Sequence, residues 1–418
     1  MTITAIRVTP IAFRDPPLLN VVGLHQPFAL RSIVEVETGD GLVGLGETYG
    51  DTATLEGLNA VAPHLVGLDP FDLAGLRATI DRHLVAGADG GLSVAPGTSR
   101  RNLPVKVDAA FEVAFLDLQG QRLGRPLVDL LGGAVRDRVP YSAYLFYKFA
   151  RHRGALEEDA WGAALDPEGI VAQARRMIDL HGFESIKLKA GVFEPDAEAD
   201  ALRALAAAFP GAPLRIDPNG GWTVATSLRM AAQLEGVLEY LEDPAPGLDG
   251  MAEVAHQVDL PLATNMVVTG FEHLPDAIRL GSAQVILADH HYWGGLRATQ
   301  HLATICRTWG LGLSMHSNSH LGISLAAMTH VAAAIPNLTY ACDTHYPWQE
   351  DEVVEGGKLA FEGGALRVPD GPGLGVRLDR DALARLHEAY RTCGIRDRDD
   401  VAEMRAYRPD WTGALPRF

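Results

Sequence analysis

Between residues 185 and 345, seven short apolar runs each end in polar residues of types that can do chemistry. The runs read SIKLK, LRIDPNG, EYLEDP, LATNM, ILADHH, LSMHSNSH and ACDTH. Their polar positions follow one another at steps of 23 to 29 residues and include Lys189, Asp217, Glu242, Asn265, Asp289, His316 and His345. One strand, one helix and two loops take roughly 30 residues. The spacing therefore predicts successive βα units with a polar group at each strand end, where barrel enzymes keep their active sites.

Three of these positions offer hard oxygen ligands on consecutive predicted strands. Asp217, Glu242 and the amide of Asn265 suit Mg²⁺, with Mn²⁺ as an alternative. One such aspartate alone would more often cap a helix, but three in register predict a metal site. Asp243 is expected to point elsewhere and to support the ligands from outside, and Asp249 is a weaker ligand candidate.

Two lysines and one Asp–His pair supply candidate proton-transfer groups. Lys187 and Lys189 are two apart on a predicted strand, so both face the barrel interior. A second lysine and a nearby cation disfavour the charged amine, which predicts Lys189 as a general base. Asp289 would orient His316 as the opposing acid or base. A metal between two such groups predicts α-proton abstraction from a carboxylate substrate, whereas an unrelated barrel lyase with a lysine Schiff base is an alternative.

The N-terminal part of the chain lacks this alternation. Residues 3–12 and 31–47 predict strands, the latter as a hairpin, and residues 52–84 and 106–124 predict helices. The segment 87–101 is rich in glycine, serine and proline and predicts a loop that could act as a lid. Strands followed by helices indicate a separate α+β domain over residues 1–133.

The repeating part predicts an α/β barrel domain over residues 134–370. A C-terminal segment, 371–418, breaks the period and is expected to return to the first domain with a helix at 379–392. The helical stretches of the repeat are 167–181, 195–208, 224–235, 250–257, 296–309 and 322–334.

Bulk composition narrows the class of protein. The 418 residues are 47% hydrophobic and carry a net charge of −17, which argues against nucleic acid and anionic membranes as partners. There is no long apolar run and no leader-like N-terminus, and the three cysteines are widely spaced. Without thiolate pairs a structural zinc site is disfavoured. We expect a cytoplasmic protein that binds a small molecule and forms a homo-oligomer.

The order of the motifs KLK, DPNG, EDP, ATNM, LAD, HSN and DTH resembles the enolase superfamily, and within it the glucarate dehydratase group, over nearly the whole length. Asn265 is the most telling match, because mandelate racemase-like members carry a carboxylate at that ligand position. The resemblance implies a modified (β/α)7β TIM barrel with an N-terminal capping domain completed by the C-terminal segment. It also implies Mg²⁺ and the dehydration of D-glucarate or L-idarate, through an enediolate, to a keto-deoxy sugar acid.

The resemblance also implies roles for single residues. Lys189 would take the α-proton on one face, and His316, oriented by Asp289, would act on the other face and assist hydroxide departure. Lys187 would neutralise the substrate carboxylate, and Asn219 would contact the intermediate. The matching substrate contacts are Asn20, His25, Tyr144, Asn318, His345 and Arg398.

Some positions leave the assignment open. Arg398 lies in the charged run RDRDD, where Arg396 is a rival, and His291 and His320 are expected to be structural. The stretch 98–105 lacks the family's threonine contact at a clear register, and the segment after Glu242 is short. The alternatives are a dehydratase or racemase for another acid sugar, or a weakly active or inactive paralogue.

Overall fold

The computed structural model describes residues 1–87 and 99–418, so residues 88–98 of the predicted loop 87–101 lie outside the described residues. The chain begins with an antiparallel sheet of three strands. The elements of the N-terminal part are β1 (Ile3–Arg14), β2 (Phe28–Thr38), β3 (Val43–Tyr49), α1 (Thr52–Leu65), α2 (Leu73–His83), α3 (Leu103–Leu123) and α4 (Leu127–Leu130). The predicted strands and hairpin are confirmed.

The single helix predicted over residues 52–84 is wrong. The chain forms α1 and α2 there, and the break between them contains Gly67 and Pro70. The φ of Gly67 is 95°, which is incompatible with a right-handed helix. Asp51 caps α1 and Asp72 caps α2 by accepting from backbone N–H groups.

Strands and helices then alternate, as the spacing of the polar clusters predicts. The elements of the barrel are β4 (Arg138–Pro140), β5 (Ser142–Phe146), α5 (Pro167–His181), β6 (Ser185–Lys189), α6 (Pro195–Ala208), β7 (Leu214–Asp217), α7 (Val224–Gln233), β8 (Leu238–Glu242), α8 (Gly247–Ala255), β9 (Leu262–Thr264), α9 (Leu274–Leu280), β10 (Val285–Ala288), α10 (His290–Trp293), α11 (Leu296–Trp309), β11 (Gly312–Met315) and α12 (Gly322–Ala334).

Strands β5 to β11 form one curled parallel sheet in chain order. The extended segment 339–343 joins its two edges, because Asp343 N donates to Met315 O of β11 and Ser142 N of β5 donates to Cys342 O, both at 2.8 Å. Seven βα units and one closing segment confirm the predicted α/β barrel fold. The domain boundaries at residues 133 and 370 stay a prediction.

The C-terminal part returns to the N-terminal sheet, as predicted. Its elements are β12 (Phe361–Glu362), β13 (Ala365–Arg367), α13 (Arg380–Thr392) and α14 (Asp400–Arg405), with β12 and β13 joined to β4 in a small sheet. Helix α13 packs on β1, where the His387 ring lies 2.7 Å from Pro10 O. Among the described residues no helix is long and apolar enough to cross a membrane.

Residues 411–418, the C-terminal arm, bind three loops at the mouth of the barrel. Arg417 donates to Val21 O at 2.6 Å and to Gly191 O at 3.1 Å. The backbone N–H of Arg417 donates to Gly221 O at 2.8 Å. Trp411 stacks on the Arg417 guanidinium, 4.0 Å from it. The arm therefore ties the loop after β1 to the loops that follow β6 and β7.

Glycines let strand β3 approach helix α3 closely. A Cβ atom on Gly46 would lie 2.2 Å from Ala110 O, which is backbone and cannot move aside alone.

We expect Gly46→Ala to lower the free energy of unfolding by about 1–3 kcal/mol through overpacking. Urea denaturation measures this loss. Gly39→Ala in the same hairpin is the control, because its Cβ would meet only a side-chain methyl at 3.4 Å. Equal effects of the two changes would contradict the close approach.

The Glu112 side chain on α3 lies at the N-terminus of α11. Burial and the nearby Asp108 raise the pKa of the Glu112 carboxyl from 4.5 to about 8. It accepts from Leu296 N at 2.5 Å. The folded protein therefore retains a proton that the unfolded chain loses. The stability from this proton is complete below the unfolded pKa and is lost as pH rises to about 8. We expect Glu112→Gln to reduce this decline by at most about 1.4 kcal/mol per pH unit. Urea denaturation of both proteins at several pH values between 4.5 and about 8 tests this expectation. If the free energy of unfolding fell equally with pH in the wild type and the variant, the expectation would be contradicted.

Candidate active site

Oxygen ligands meet at the carboxyl ends of three adjacent strands. Strand β7 ends at Asp217, strand β8 ends at Glu242, and Asn265 follows β9. Oxygens of Asp217, Glu242 and Asp243 lie within 4.8 Å of one another, all on buried side chains. Asn265 Oδ1 is buried without a hydrogen-bond partner in the described part of the chain. A buried amide oxygen that lacks a donor, next to two carboxylates, fits a hard cation such as Mg²⁺.

Asp243 lies closer to these ligands than predicted. Its Oδ1 accepts from Thr264 Oγ1 at 2.6 Å and its Oδ2 accepts from Asn265 N at 2.9 Å. Burial, together with the charge of Asp217, raises the pKa of Asp243 to about 7. A φ of 38° turns the residue out of the strand alternation. Asp243 thus holds the backbone of Asn265 while its own carboxylate stays beside the cluster.

Lys187 is the counter-charge of the carboxylates. Its Nζ lies 2.6 Å from Glu242 Oε2, 2.6 Å from Asp343 Oδ2 and 3.5 Å from Asp217 Oδ2, with no exposed surface. Burial opposes the charge, but Asp343 and Glu242 outweigh it and hold the pKa of Lys187 well above its usual value. The ammonium also lies 4.6 Å above the ring of Tyr144. Lys187 therefore neutralises the ligand cluster and has no open side for a substrate.

Lys189 differs from Lys187 in reaching the surface of the barrel mouth. Its side chain is 10% exposed, and Nζ donates to Asp217 Oδ2 at 2.6 Å and to Asn219 Oδ1 at 2.5 Å. Asn219, with a φ of 55°, lines a cavity of about 400 Å³ together with Asp243 and Met266. The amine that is predicted as a base thus lies next to the residues that line this cavity.

Asp289 and His316 come together across the barrel from the lysines. His316 Nδ1 lies 3.2 Å from Asp289 Oδ2, and His291 Nδ1 lies 2.7 Å from Asp289 Oδ1. Burial raises the pKa of Asp289, but the two imidazoles outweigh it and hold the pKa well below its usual value. The carboxylate is therefore ionised and can orient both rings. His316 Nε2 has no hydrogen bond to a described residue.

Four of the predicted substrate contacts form one group, in which Arg398 and Asn20 bind Asp400, and His25 and Asn318 contact Arg398. Asp400 was not among the residues predicted from the sequence. Asn20 Nδ2 donates to Asp400 Oδ2 at 2.6 Å, and Arg398 Nε donates to the same oxygen at 2.9 Å. Arg398 also contacts His25 Nε2 at 2.9 Å and donates to Asn318 Oδ1 at 3.1 Å. The short spacing between Arg398 and Asp400 could have indicated this ion pair, since an aspartate two residues after an arginine can reach it.

The other predicted substrate contacts, Tyr144 and His345, are aromatic rings that pack against each other beside His25. His345 packs edge-on to Tyr144, with ring centres 4.8 Å apart, and lies 6.3 Å from the parallel ring of His25. His25 Nδ1 lies 3.0 Å from the buried Asp15, a second carboxylate that the sequence did not suggest. The rival Arg396 donates to the carbonyls of Tyr390 in α13 and of the adjacent Ile395. Arg398 is thus the arginine that reaches the cluster.

Comparisons with known proteins agree with this geometry. The family model described as mandelate racemase / muconate lactonizing enzyme, N-terminal domain, matches residues 3–132. The model described as enolase C-terminal domain-like matches residues 169–382. A Streptomyces coelicolor protein named "Probable glucarate dehydratase" is 55% identical, covering 100% of this chain and 99% of its own. Muconate cycloisomerase 1 of Rhodococcus opacus is 27% identical, covering 86% and 90%.

Solved structures show the same kinship. An enolase from Pseudomonas fluorescens Pf0-1, with bound magnesium, potassium and tartrate, is 57% identical with a TM-score of 0.98, covering 100% of this chain and 99% of that one. An enolase from Thermobispora bispora, complexed with magnesium and formate, is 58% identical with a TM-score of 0.97, covering 100% of both chains. With both family models matched over most of its length, the chain belongs to the enolase superfamily of enzymes.

Proposed function

We propose that the protein is a Mg²⁺-dependent acid-sugar dehydratase that converts D-glucarate or L-idarate to a keto-deoxy sugar acid. The observation that carries the proposal is the arrangement of strand ends. Lys189 on β6 and His316 after β11 stand on either side of the oxygen ligands on β7, β8 and β9. A substrate carboxylate held between them would present one face of its α-carbon to each group. The 55% identical relative named "Probable glucarate dehydratase" supports the same reaction.

Asp217, Glu242 and Asn265 would hold Mg²⁺, with Mn²⁺ as an alternative. The ion would supply positive charge that stabilises the negative charge developing on the substrate carboxylate as the α-proton leaves. Asp243 would fix the backbone of Asn265, with which it shares a 2.9 Å hydrogen bond. Lys187 would keep the carboxylates compatible with burial before the ion binds, in place of the direct substrate contact that the resemblance implies.

Two side chains of the protein would move the protons. Lys189, in the uncharged form, would accept the α-proton on one face as the C–H bond breaks. His316, oriented through Nδ1 by Asp289, has Nε2 free of partners among the described residues. With both ring nitrogens protonated, His316 would donate its Nε2 proton to the β-hydroxyl, so that the C–O bond breaks and water leaves. The resulting enol becomes the keto-deoxy product. His316 would also take the α-proton from an epimer with the opposite configuration.

Asn219 would contact the charged intermediate, because its amide lies 2.5 Å from the Lys189 amine. Asn20, His25, Asn318 and Arg398 would bind the far end of the substrate. Tyr144 and His345 would also contact the substrate, since their rings pack against each other beside this group.

A different acid sugar is the second candidate substrate. Arg398 pairs with Asp400 at 2.6 Å and His25 Nδ1 lies 3.0 Å from Asp15, so both of these side chains in the distal cluster already have a carboxylate partner. A distal group that donates hydrogen bonds would suit this cluster better than a bare carboxylate. A racemase or dehydratase for such an acid would use the same proton-transfer groups.

The test is turnover with Mg²⁺ across hexarate diacids and monoacid sugars, with detection of the keto-deoxy product. Activity on glucarate and idarate that EDTA removes is the expected result. Asn265→Leu should lose both Mg²⁺ binding and turnover, whereas Asn265→Asp, which keeps an oxygen ligand, should keep binding. Turnover of another acid alone would reassign the substrate, and no turnover of any acid would refute the proposal.

We also expect self-association, which light scattering after gel filtration measures.

A further inference from the structure

His291 joins the N-terminal sheet to the Asp289–His316 pair. Its Nδ1 lies 2.7 Å from Asp289 Oδ1, and its backbone N–H donates to the same oxygen at 2.9 Å. On the other side of the ring, Nε2 lies 2.8 Å from Arg31 Nη2 and 3.0 Å from Ser324 Oγ. The ring is buried, so these are all its polar contacts in the described part of the chain.

The contacts determine where the His291 proton is. A guanidinium has donors and no acceptor, so Nε2 of His291 must accept from Arg31. The ring proton is therefore on Nδ1 and is donated to Asp289 Oδ1. This leaves Asp289 Oδ2, which also accepts from the Tyr49 hydroxyl at 3.4 Å, for His316 Nδ1, 3.2 Å away. The adjacent guanidinium also opposes a cation at the Asp289, His290 and His291 cluster, whose ligand atoms lie within 4.8 Å of one another.

Arg31 is itself held from both domains. Its Nε donates to the buried Glu47 at 2.9 Å, on the neighbouring strand of the N-terminal sheet. Glu47 accepts from Leu321 N and Ser324 N, both at 2.8 Å, at the N-terminus of the barrel helix α12. The guanidinium also lies 4.9 Å from the ring of Tyr49. Arg31 therefore cannot move relative to the barrel without breaking an ion pair and a helix cap.

We propose that His291, held by Arg31, is a positioning residue that orients the Asp289–His316 pair. The inference rests on the proposed function for its effect on catalysis. Without the ring donor of His291, Asp289 Oδ1 keeps only the backbone N–H of residue 291, so the carboxylate is held less firmly and can turn away from His316. The imidazole of His316 then loses the contact that places its proton on Nδ1 and leaves Nε2 as a base. Lys189, which is held by Asp217 and Asn219, keeps its own contacts.

The first experiment compares His291→Phe with His291→Asn in substrate proton exchange in D₂O. Phenylalanine keeps the ring volume and removes both nitrogens, whereas the asparagine amide can donate at the position of Nδ1. We expect His291→Phe to slow exchange on the His316 face by about 10- to 100-fold, the range for losing a partner that orients a functional histidine. Exchange on the Lys189 face should stay near the wild-type rate, and His291→Asn should restore the His316 face. Equal slowing of both faces, or no slowing, would overturn the proposal.

The second experiment needs no substrate and separates this inference from the proposed function. Two-bond nitrogen–proton correlation spectra of histidine-labelled wild-type protein should show the protons of His291 and His316 on Nδ1. In His291→Phe, His316 should lose its preference for Nδ1. A wild-type protein that exchanges no acid sugar, yet shows these spectra, would refute the proposed function alone. A proton on Nε2 of His291, or an unchanged His316 in the variant, would refute the positioning role.

Discussion

Replacing Lys189 by methionine should abolish exchange of the substrate α-proton on one face and leave exchange on the other. Lys189 is the partly exposed lysine beside the cavity-lining Asn219. The His316–Asp289 pair shares no hydrogen bond with it. The expected loss on the Lys189 face is about 10²- to 10⁴-fold, the contribution of a positioned acid or base. Proton exchange in D₂O, followed separately for D-glucarate and L-idarate, measures each face.

His316→Asn is the mirror experiment. It should slow the opposite face and leave the Lys189 face active, because asparagine is no base although it can still donate to Asp289. Each variant is thus the folding control of the other. Loss of both faces in either variant, or retention of both, would contradict two separate proton-transfer groups.

Replacing Lys187 by methionine should lower the free energy of unfolding in EDTA by about 3–5 kcal/mol, the cost of stranding buried charges without their partner. Lys187 is fully buried and contacts the carboxylates of Asp217, Glu242 and Asp343. Mg²⁺ should restore part of the loss, because the ion would supply the missing charge. Urea denaturation with and without Mg²⁺ measures both effects.

The matched control is Lys189→Met. This lysine is partly exposed, and its partner Asp217 keeps Lys187 at 3.5 Å, so the loss of stability should be smaller. A loss in Lys187→Met no greater than in the control would show that the carboxylates do not depend on this ammonium. A loss that Mg²⁺ leaves unchanged would point to packing instead of charge.

The barrel and the grouping of its polar side chains could be predicted because both follow from periodicity. Lys187 and Lys189 are two apart on a strand, so alternation places both inside, and the structure has both in contact with Asp217. Ligand candidates at equal spacing must share one edge of a parallel sheet. Catalytic and binding roles for these residues stay predictions.

Local backbone conformation set the limit of prediction. Asp243 has a positive φ, so it does not turn away from its neighbour Glu242 as strand alternation suggests. The break between α1 and α2 contains Gly67, which has a left-handed φ, and Pro70, both inside an otherwise helical pattern. The short helix α9 has too few turns to show a periodicity of its own.

Contacts between distant parts of the chain set a second limit. His291 could not be distinguished from a structural histidine, because its partner Arg31 lies 260 residues earlier. Asp15 pairs with His25 within one loop, yet both become important only through Arg398 from the far end of the chain. Such pairs carry no spacing signal in one sequence.

The C-terminal arm has a consequence for the protein during its synthesis. By residue 345 the ribosome has produced every candidate ligand and base and every strand of the barrel sheet. Arg398 and Asp400, which meet His25 and Asn20, come more than fifty residues later, and Arg417 of the C-terminal arm comes later still. On the proposed function, a nascent chain would have its candidate metal ligands before it has the residues proposed to hold the far end of an acid sugar. Turnover, on the proposed function, should begin only when the C-terminal arm has left the exit tunnel and has bound the loops.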